Sequence, residues 1–223
     1  MLMIYIYENK KSVFSTIETK LLNFIQEEDF IQEEDLNKIA ALYYDRDKLN
    51  LLYSRLVVLY GMYKLRGISP NDVNILKEKY GKPYIENNNI YFNISHSGKV
   101  VYVAFYEHGE VGIDVEELND VPNEIIEYCF HEEEKKLMKR AKKREYKRRF
   151  YDIWTKKEAY LKKKGTGISD NLKKVNVTKK YDFITFEWNN YYCSVTADGL
   201  KTYSIKIIQF EELIHFLKSF SSF

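Results

Sequence analysis

The chain has 223 residues, 45% of them apolar and 30% charged, with a formal net charge of +2. That is an ordinary make-up for a soluble globular protein, long enough to bury a real core as one large domain or two small ones. Cys129 and Cys193 stand far apart, with no Cys-x-x-Cys and no histidine at finger spacing, which argues against a structural zinc site, and two thiols without a disulfide framework suit a reducing cytoplasm.

No apolar run reaches the ~18 residues a membrane span needs, and Met1-Leu-Met-Ile-Tyr-Ile-Tyr7 has neither a basic leader nor a small-residue cleavage site. It reads as a first strand over 2–7. An amphipathic helix is expected over 14–26, and the acidic residues from Glu27 to Asp35 as a solvated connection. Residues 36–65 are helical by period, with Leu42, Leu49, Leu52, Leu56, Leu59 and Tyr63 on the apolar side and an interruption between Tyr43 and Asp47. Ser69-Pro70-Asn71-Asp72 predicts the start of a helix that Gly81 ends with a left-handed cap. Lys82-Pro83 then presents Lys82 on a turn.

Asn87 to Asn89 predict a turn and 90–94 a strand, left by Ser95-His96-Ser97-Gly98 as a loop of small polar donors. The strand Val100–Tyr106 and a hairpin turn at Glu107-His-Gly-Glu110 lead into a further strand, so Ser95 and His96 should neighbour it. In that strand Val111, Ile113 and Val115 alternate with Gly112, Asp114 and Glu116, which puts two carboxylates on one face. At ~5–7 Å they repel by roughly 2–3 kcal/mol at an effective dielectric of about 20, so a counter-charge is expected.

From Phe150 to Lys164 there is no proline or glycine, and Gly165 marks the end of a helix. Trp154, Glu158 and Lys162, spaced by four, stack on one side of it. If that side meets the acidic strand, Asp114, Glu116 and Glu158 converge as an oxygen-only set that suits Mg²⁺, with Mn²⁺ the alternative. The plainer reading is a solvated strand face and an exposed helical ion pair contributing about 0.2–0.5 kcal/mol. The apolar residues around Asp114 and the tryptophan beside Glu158 favour convergence. His96 alone is a structural loop histidine; near such a site it becomes a candidate phosphate donor.

Between Lys135 and Arg149, ten of fifteen residues are Lys or Arg, either a solvated basic face or a docking surface for an acidic partner. Strands are expected at 173–177, 182–188, 191–196 and 203–210, with a turn at Asn189-Asn190 and a last helix near 211–220. With no Pro-, Gly- or Ser-rich linker, two tightly packed halves are expected, 1–109 and 110–223.

Phe92-Asn-Ile-Ser-His-Ser97, Gly112-Ile-Asp-Val-Glu116, and Trp154-Thr-Lys-Lys-Glu-Ala-Tyr-Leu-Lys162 with Gly165-Thr-Gly167 resemble, in this order, the three signatures of the 4'-phosphopantetheinyl transferases of the long, Sfp-type class. Tyr80-Gly-Lys-Pro83 extends the resemblance over nearly the whole chain. It implies an α+β pseudo-dimer of two similar halves and a cytoplasmic, monomeric enzyme. The implied reaction moves the phosphopantetheine arm of coenzyme A onto a serine of an acyl or peptidyl carrier protein and releases adenosine 3',5'-bisphosphate. It also implies that Asp114, Glu116 and Glu158 hold Mg²⁺, that Lys82, Ser95 and His96 reach phosphate oxygens, and that Lys38 grips the nucleotide. Lys162 would stabilise the transferring or leaving phosphate, and Glu158 would accept the serine proton. Asn50 and Leu59 depart from the family, standing where arginine is common. A nucleic-acid-binding protein using the basic segment is the rival reading, and it leaves the acidic convergence unexplained; no nucleic acid and no membrane are expected as partners.

Overall fold

The first strand, β1 (Leu2–Glu8), is apolar on both faces and is buried on both. Leu2, Ile4 and Ile6 enter a core shared with the second half, while Tyr5 and Tyr7 enter a larger core under the first-half helices. The computed structural model describes residues 1–11, 13–86, 88–167, 172–179 and 182–221. After β1 come α1 (Thr16–Glu27), opened by a capping box between Ser15 and Glu18, then α2 (Glu33–Ala41) and α3 (Asp45–Arg66). A small antiparallel pair, β2 (Ile75–Lys77) and β3 (Pro83–Ile85), precedes β4 (Tyr91–Ser97) and β5 (Val100–Tyr106).

The second half runs β6 (Val111–Glu117), α4 (Asn123–Cys129), α5 (Glu132–Arg140), α6 (Lys143–Lys164), β7 (Phe183–Trp188) and β8 (Tyr191–Ala197). It repeats the plan of the first. In each half a leading strand pairs antiparallel with the second strand of a later hairpin, β1 with β5 and β6 with β8. Between them lies a helix of 22 residues, α3 or α6, ended by a left-handed glycine, Gly67 or Gly165, and followed by a 3-10 turn, Pro70–Asp72 or Leu172–Lys174. The expected α+β fold of two like halves is what the sheets β4-β5-β1, extended at its edge by a last strand, and β6-β8-β7 display. The last strand, β9 (Tyr203–Ile208), lies parallel to β1, and α7 (Phe210–Lys218) buries Leu213, Phe216 and Leu217 in the first core. Residues 203–218 therefore sit with the first half in space.

Several local expectations need correction. The helix expected from Ser69 to Gly81 is a 3-10 turn followed by β2, because Val73 and Ile75 bury alternate positions instead of a helical stripe. Gly81, with φ 86°, turns the β2–β3 hairpin. Ser95 to Ser97 continue β4, with Ser97 opposite Val100, so only Gly98 and Lys99 form the turn. Asp35 is not in a solvated connection: it is buried in the first turn of α2, accepting from Arg55 Nη2 at 3.0 Å. The 107–110 segment does not close a hairpin, since β6 leaves β5 and pairs with β8. The segment expected as a strand at 173–177 holds the 3-10 turn, and the basic segment is two helices parted at Ala141-Lys142. The interruption near Tyr43 is present between α2 and α3. Asn87, part of an expected turn, lies outside the described residues.

Candidate active site between the halves

The seam is made by side chains. Strands β4 and β6 run in step, and the side-chain oxygens of Asn93, Ser95 and Ser97 accept the backbone N–H groups of Ile113, Val115 and Glu117 at 3.0, 3.2 and 3.1 Å. Three small polar residues at alternate positions of β4 thus satisfy donors that a neighbouring strand would otherwise take. On the other side α6 packs onto the backbone of β6. A Cβ on Gly112 would stand 2.0 Å from the Ala159 carbonyl oxygen and 2.5 Å from the Lys163 amide nitrogen, so only glycine permits this approach.

That approach sets one side of α6 against the acidic face of β6. Lys162 Nζ lies 2.7 Å from Asp114 Oδ1 and 2.9 Å from Ser95 Oγ, and Ser95 Oγ itself donates to Asp114 Oδ1 at 3.1 Å. Glu116 accepts from Trp154 Nε1 at 3.2 Å and from Ser97 Oγ at 3.1 Å. Asp114 Oδ2 and Glu158 Oε1 are buried with no hydrogen-bond partner. Burial raises the pKa of Asp114, against the pull of Lys162 and Ser95, and burial together with the Asp114 charge raises that of Glu116. Glu158 is pushed up to about 7, by burial first and then by repulsion from Asp114. Three carboxylates thus share one ammonium.

The donor set fits a hard divalent cation, because two buried carboxylate oxygens lack partners and every candidate ligand is oxygen. Among the described residues no three His, Cys, Asp or Glu form a ready-made cage. Mg²⁺ asks for none, since it takes one or two carboxylates and completes its shell with water and phosphate.

The other expected site residues are placed unequally. His96 is on β4 with its ring partly open to solvent, and its crowded surroundings and the Lys162 ammonium lower its pKa. Lys82 is buried, pairing with Glu110 and donating to the Lys163 carbonyl at 2.7 Å. Lys38 is exposed on α2, paired with Glu34. It lines neither cavity along the seam. One of these, about 620 Å³, is bordered by Tyr44, Arg46, Asn50, Lys99, Glu117 and Tyr191. The other, about 230 Å³, is bordered by Tyr80, Lys82, Asn93, Glu158 and Lys162. Asn50, where arginine is common, donates to the Gly98 carbonyl at 3.4 Å, and Leu59 is core.

Besides the Asp35–Arg55 pair, a second buried ion pair was not anticipated. Lys157, next to Glu158, has no exposed surface and meets the equally buried Glu134 at 2.7 Å. Glu134 also accepts from the amides of His131 and Val177 at 2.7 and 2.8 Å, so the pair fixes α6 against α5. The spacing of Glu134 from His131 as a helix cap was its one trace in the sequence.

Comparison with known proteins covers both halves. Residues 110–204 match the family model described as the 4'-phosphopantetheinyl transferase superfamily, and residues 18–108 match 4'-phosphopantetheinyl transferase, N-terminal. The 4'-phosphopantetheinyl transferase Sfp of Bacillus subtilis (strain 168) is 30% identical over 154 residues, 69% of this chain and 68% of the relative. The 4'-phosphopantetheinyl transferase gsp of Aneurinibacillus migulanus is 32% identical over 123 residues, 55% of this chain and 51% of the relative. The chain thus spans about half of one relative and about two thirds of the other. With a family match on each of the two repeated halves and the charged cluster on the seam between them, the chain belongs to the 4'-phosphopantetheinyl transferase superfamily and is of the Sfp-like type.

Proposed function

We propose that this chain transfers the 4'-phosphopantetheine arm of coenzyme A to a serine of an acyl or peptidyl carrier protein, acting as a cytoplasmic monomer. The observation that carries the reading is the meeting of Asp114, Glu116, Glu158 and Lys162 on the seam between the two family-matched halves. Asp114, Glu116 and Glu158 would hold a Mg²⁺ or Mn²⁺ ion, which when bound neutralises charge on the diphosphate.

The serine oxygen forms a bond to the phosphorus that bears pantetheine, the diphosphate P–O bond breaks, and adenosine 3',5'-bisphosphate leaves. Such a displacement is helped mainly by positioning and by fixed charge. Lys162 Nζ, held between Asp114 and Ser95, supplies the charge. Ser95 and His96, successive on β4, offer donors to phosphate oxygens. The carboxylate of Glu158, on the side of α6 that faces Asp114 and Lys162, takes the serine proton.

Lys38 lies outside both cavities, so its place in nucleotide binding rests on the family resemblance. Lys38→Ala should raise the KM for coenzyme A while kcat holds; an unchanged KM removes Lys38 from the site.

The exposed basic residues of α5 and the start of α6 would attract an acidic carrier. Lys135, Lys136 and Arg148 are already paired with Glu127, Glu133 and Glu187, which lowers the field these helices offer to any acidic partner, carrier or nucleic acid alike. Chromatography tests the reaction: adenosine 3',5'-bisphosphate should appear from coenzyme A only when an apo carrier and Mg²⁺ are both present. Release without a carrier would point to hydrolysis.

A further inference from the structure

The β2–β3 hairpin carries an ammonium that the reaction leaves without a task. Lys82 is 8% exposed, and lysine is almost never so buried unless paired. Both of its partners lie across the seam. One is the carboxylate of Glu110, the residue before β6; the other is the carbonyl oxygen of Lys163, at 2.7 Å, in the last turn of α6. The final carbonyls of a helix have no amide ahead of them. The Gly165 N–H takes those of Leu161 and Lys162, and Lys82 takes that of Lys163, where a cation also meets the negative end of the helix dipole. Gly165 admits the hairpin: its φ is +66°, and a Cβ there would lie 2.9 Å from Glu78 Oε2 and 3.2 Å from Lys82 Cδ. One buried ammonium therefore ties the end of the helix carrying Glu158 and Lys162 to the start of the strand carrying Asp114.

We propose that Lys82 is a positioning residue: by bridging Glu110 and the Lys163 carbonyl, it fixes the last turn of α6, and with it Lys162, against Asp114. The role builds on the transfer reading above. It differs from a direct grip on phosphate, because these partners engage two of the three N–H donors of Lys82 and its charge is already met by Glu110.

Lys82→Met keeps the aliphatic stem and removes the ammonium. Misplacement of a catalytic group by a fraction of an ångström costs on the order of tenfold in rate, so kcat should fall about tenfold while the KM for coenzyme A stays within about twofold. Glu110→Gln should move kcat the same way by less, and the double variant should be no slower than Lys82→Met, since both break one bridge. Far-UV circular dichroism and the thermal midpoint certify the fold of each variant.

A raised KM at constant kcat would make Lys82 a nucleotide contact. A lowered midpoint with both constants unchanged would make it only a strut of the fold. Either result overturns the proposal. Amide hydrogen exchange reads the same bridge without the reaction: protection in the last turn of α6 should drop in Lys82→Met, and unaltered protection there also overturns it. A wild-type chain that forms no holo carrier would instead refute the transfer reading, and the exchange measurement would still decide whether the bridge holds.

Discussion

Glu158 and Asp114 each keep one buried carboxylate oxygen without a partner, and such atoms are costly unless something completes them. At the scale of the residue this is the strongest mark of function in the chain. Glu158→Gln preserves the shape of the side chain and removes its charge and basicity. It should lower kcat by about 10²-fold or more, and it should leave the thermal midpoint unchanged or raised, because repulsion with Asp114 and Glu116 is relieved. Near-normal turnover would remove Glu158 from the chemistry, and a large fall in midpoint would make it a structural group.

The sequence was legible here where period alone decides direction. Asp114 and Glu116 are two apart on a strand, and Glu158 and Lys162 are four apart on a helix. It was opaque for Lys82 and Lys38, whose ammonium groups are taken by Glu110 and Glu34; no spacing rule states which distant carboxylate captures a flexible lysine.

Among elements, the contact of β6 with α6 sets the site. Gly112 is the point where strand and helix backbones touch, with the hypothetical Cβ clashing on backbone atoms that cannot swing away. Gly112→Ala should destabilise the fold by about 1–3 kcal/mol through overpacking, read as a lowered urea midpoint. Activity should fall further than the loss of folded protein explains, since Lys162 and Glu158 are moved off Asp114. A variant with normal midpoint and rate would mean that the two elements are not held this closely.

The helix α6 was readable from its unbroken run and its closing glycine, and so was the strand it meets. The stretch from Ser69 to Gly81 was misread because a cap-like Ser-Pro-Asn-Asp and a terminal glycine mark tight turns as well as helices. Likewise Ser95 and Ser97 look like loop residues until β6 is seen to need their hydroxyls for its backbone amides. That need arises from a strand in the other half.

At the scale of the molecule, two copies of one plan are joined by a polar seam and by β9, which returns to pair with β1. The repetition was legible only through the family resemblance, because the halves share topology without an obvious repeat of residues. The basic residues of α5 and α6 belong to this scale too. If they steer an acidic carrier, raising the ionic strength from low to physiological values should increase the KM for the carrier several-fold while kcat changes little, because exposed charges act through a field that salt screens. A salt-independent KM would remove these helices from the docking surface.

The most direct measurement is the intact mass of several apo carrier proteins after incubation with the chain, coenzyme A and Mg²⁺. One phosphopantetheine arm should be added to the acceptor serine of a carrier, and the gain should vanish when the metal is chelated. No mass gain on any carrier, or the same gain with the metal removed, would contradict an account built on Asp114, Glu116 and Glu158 holding a cation against a diphosphate.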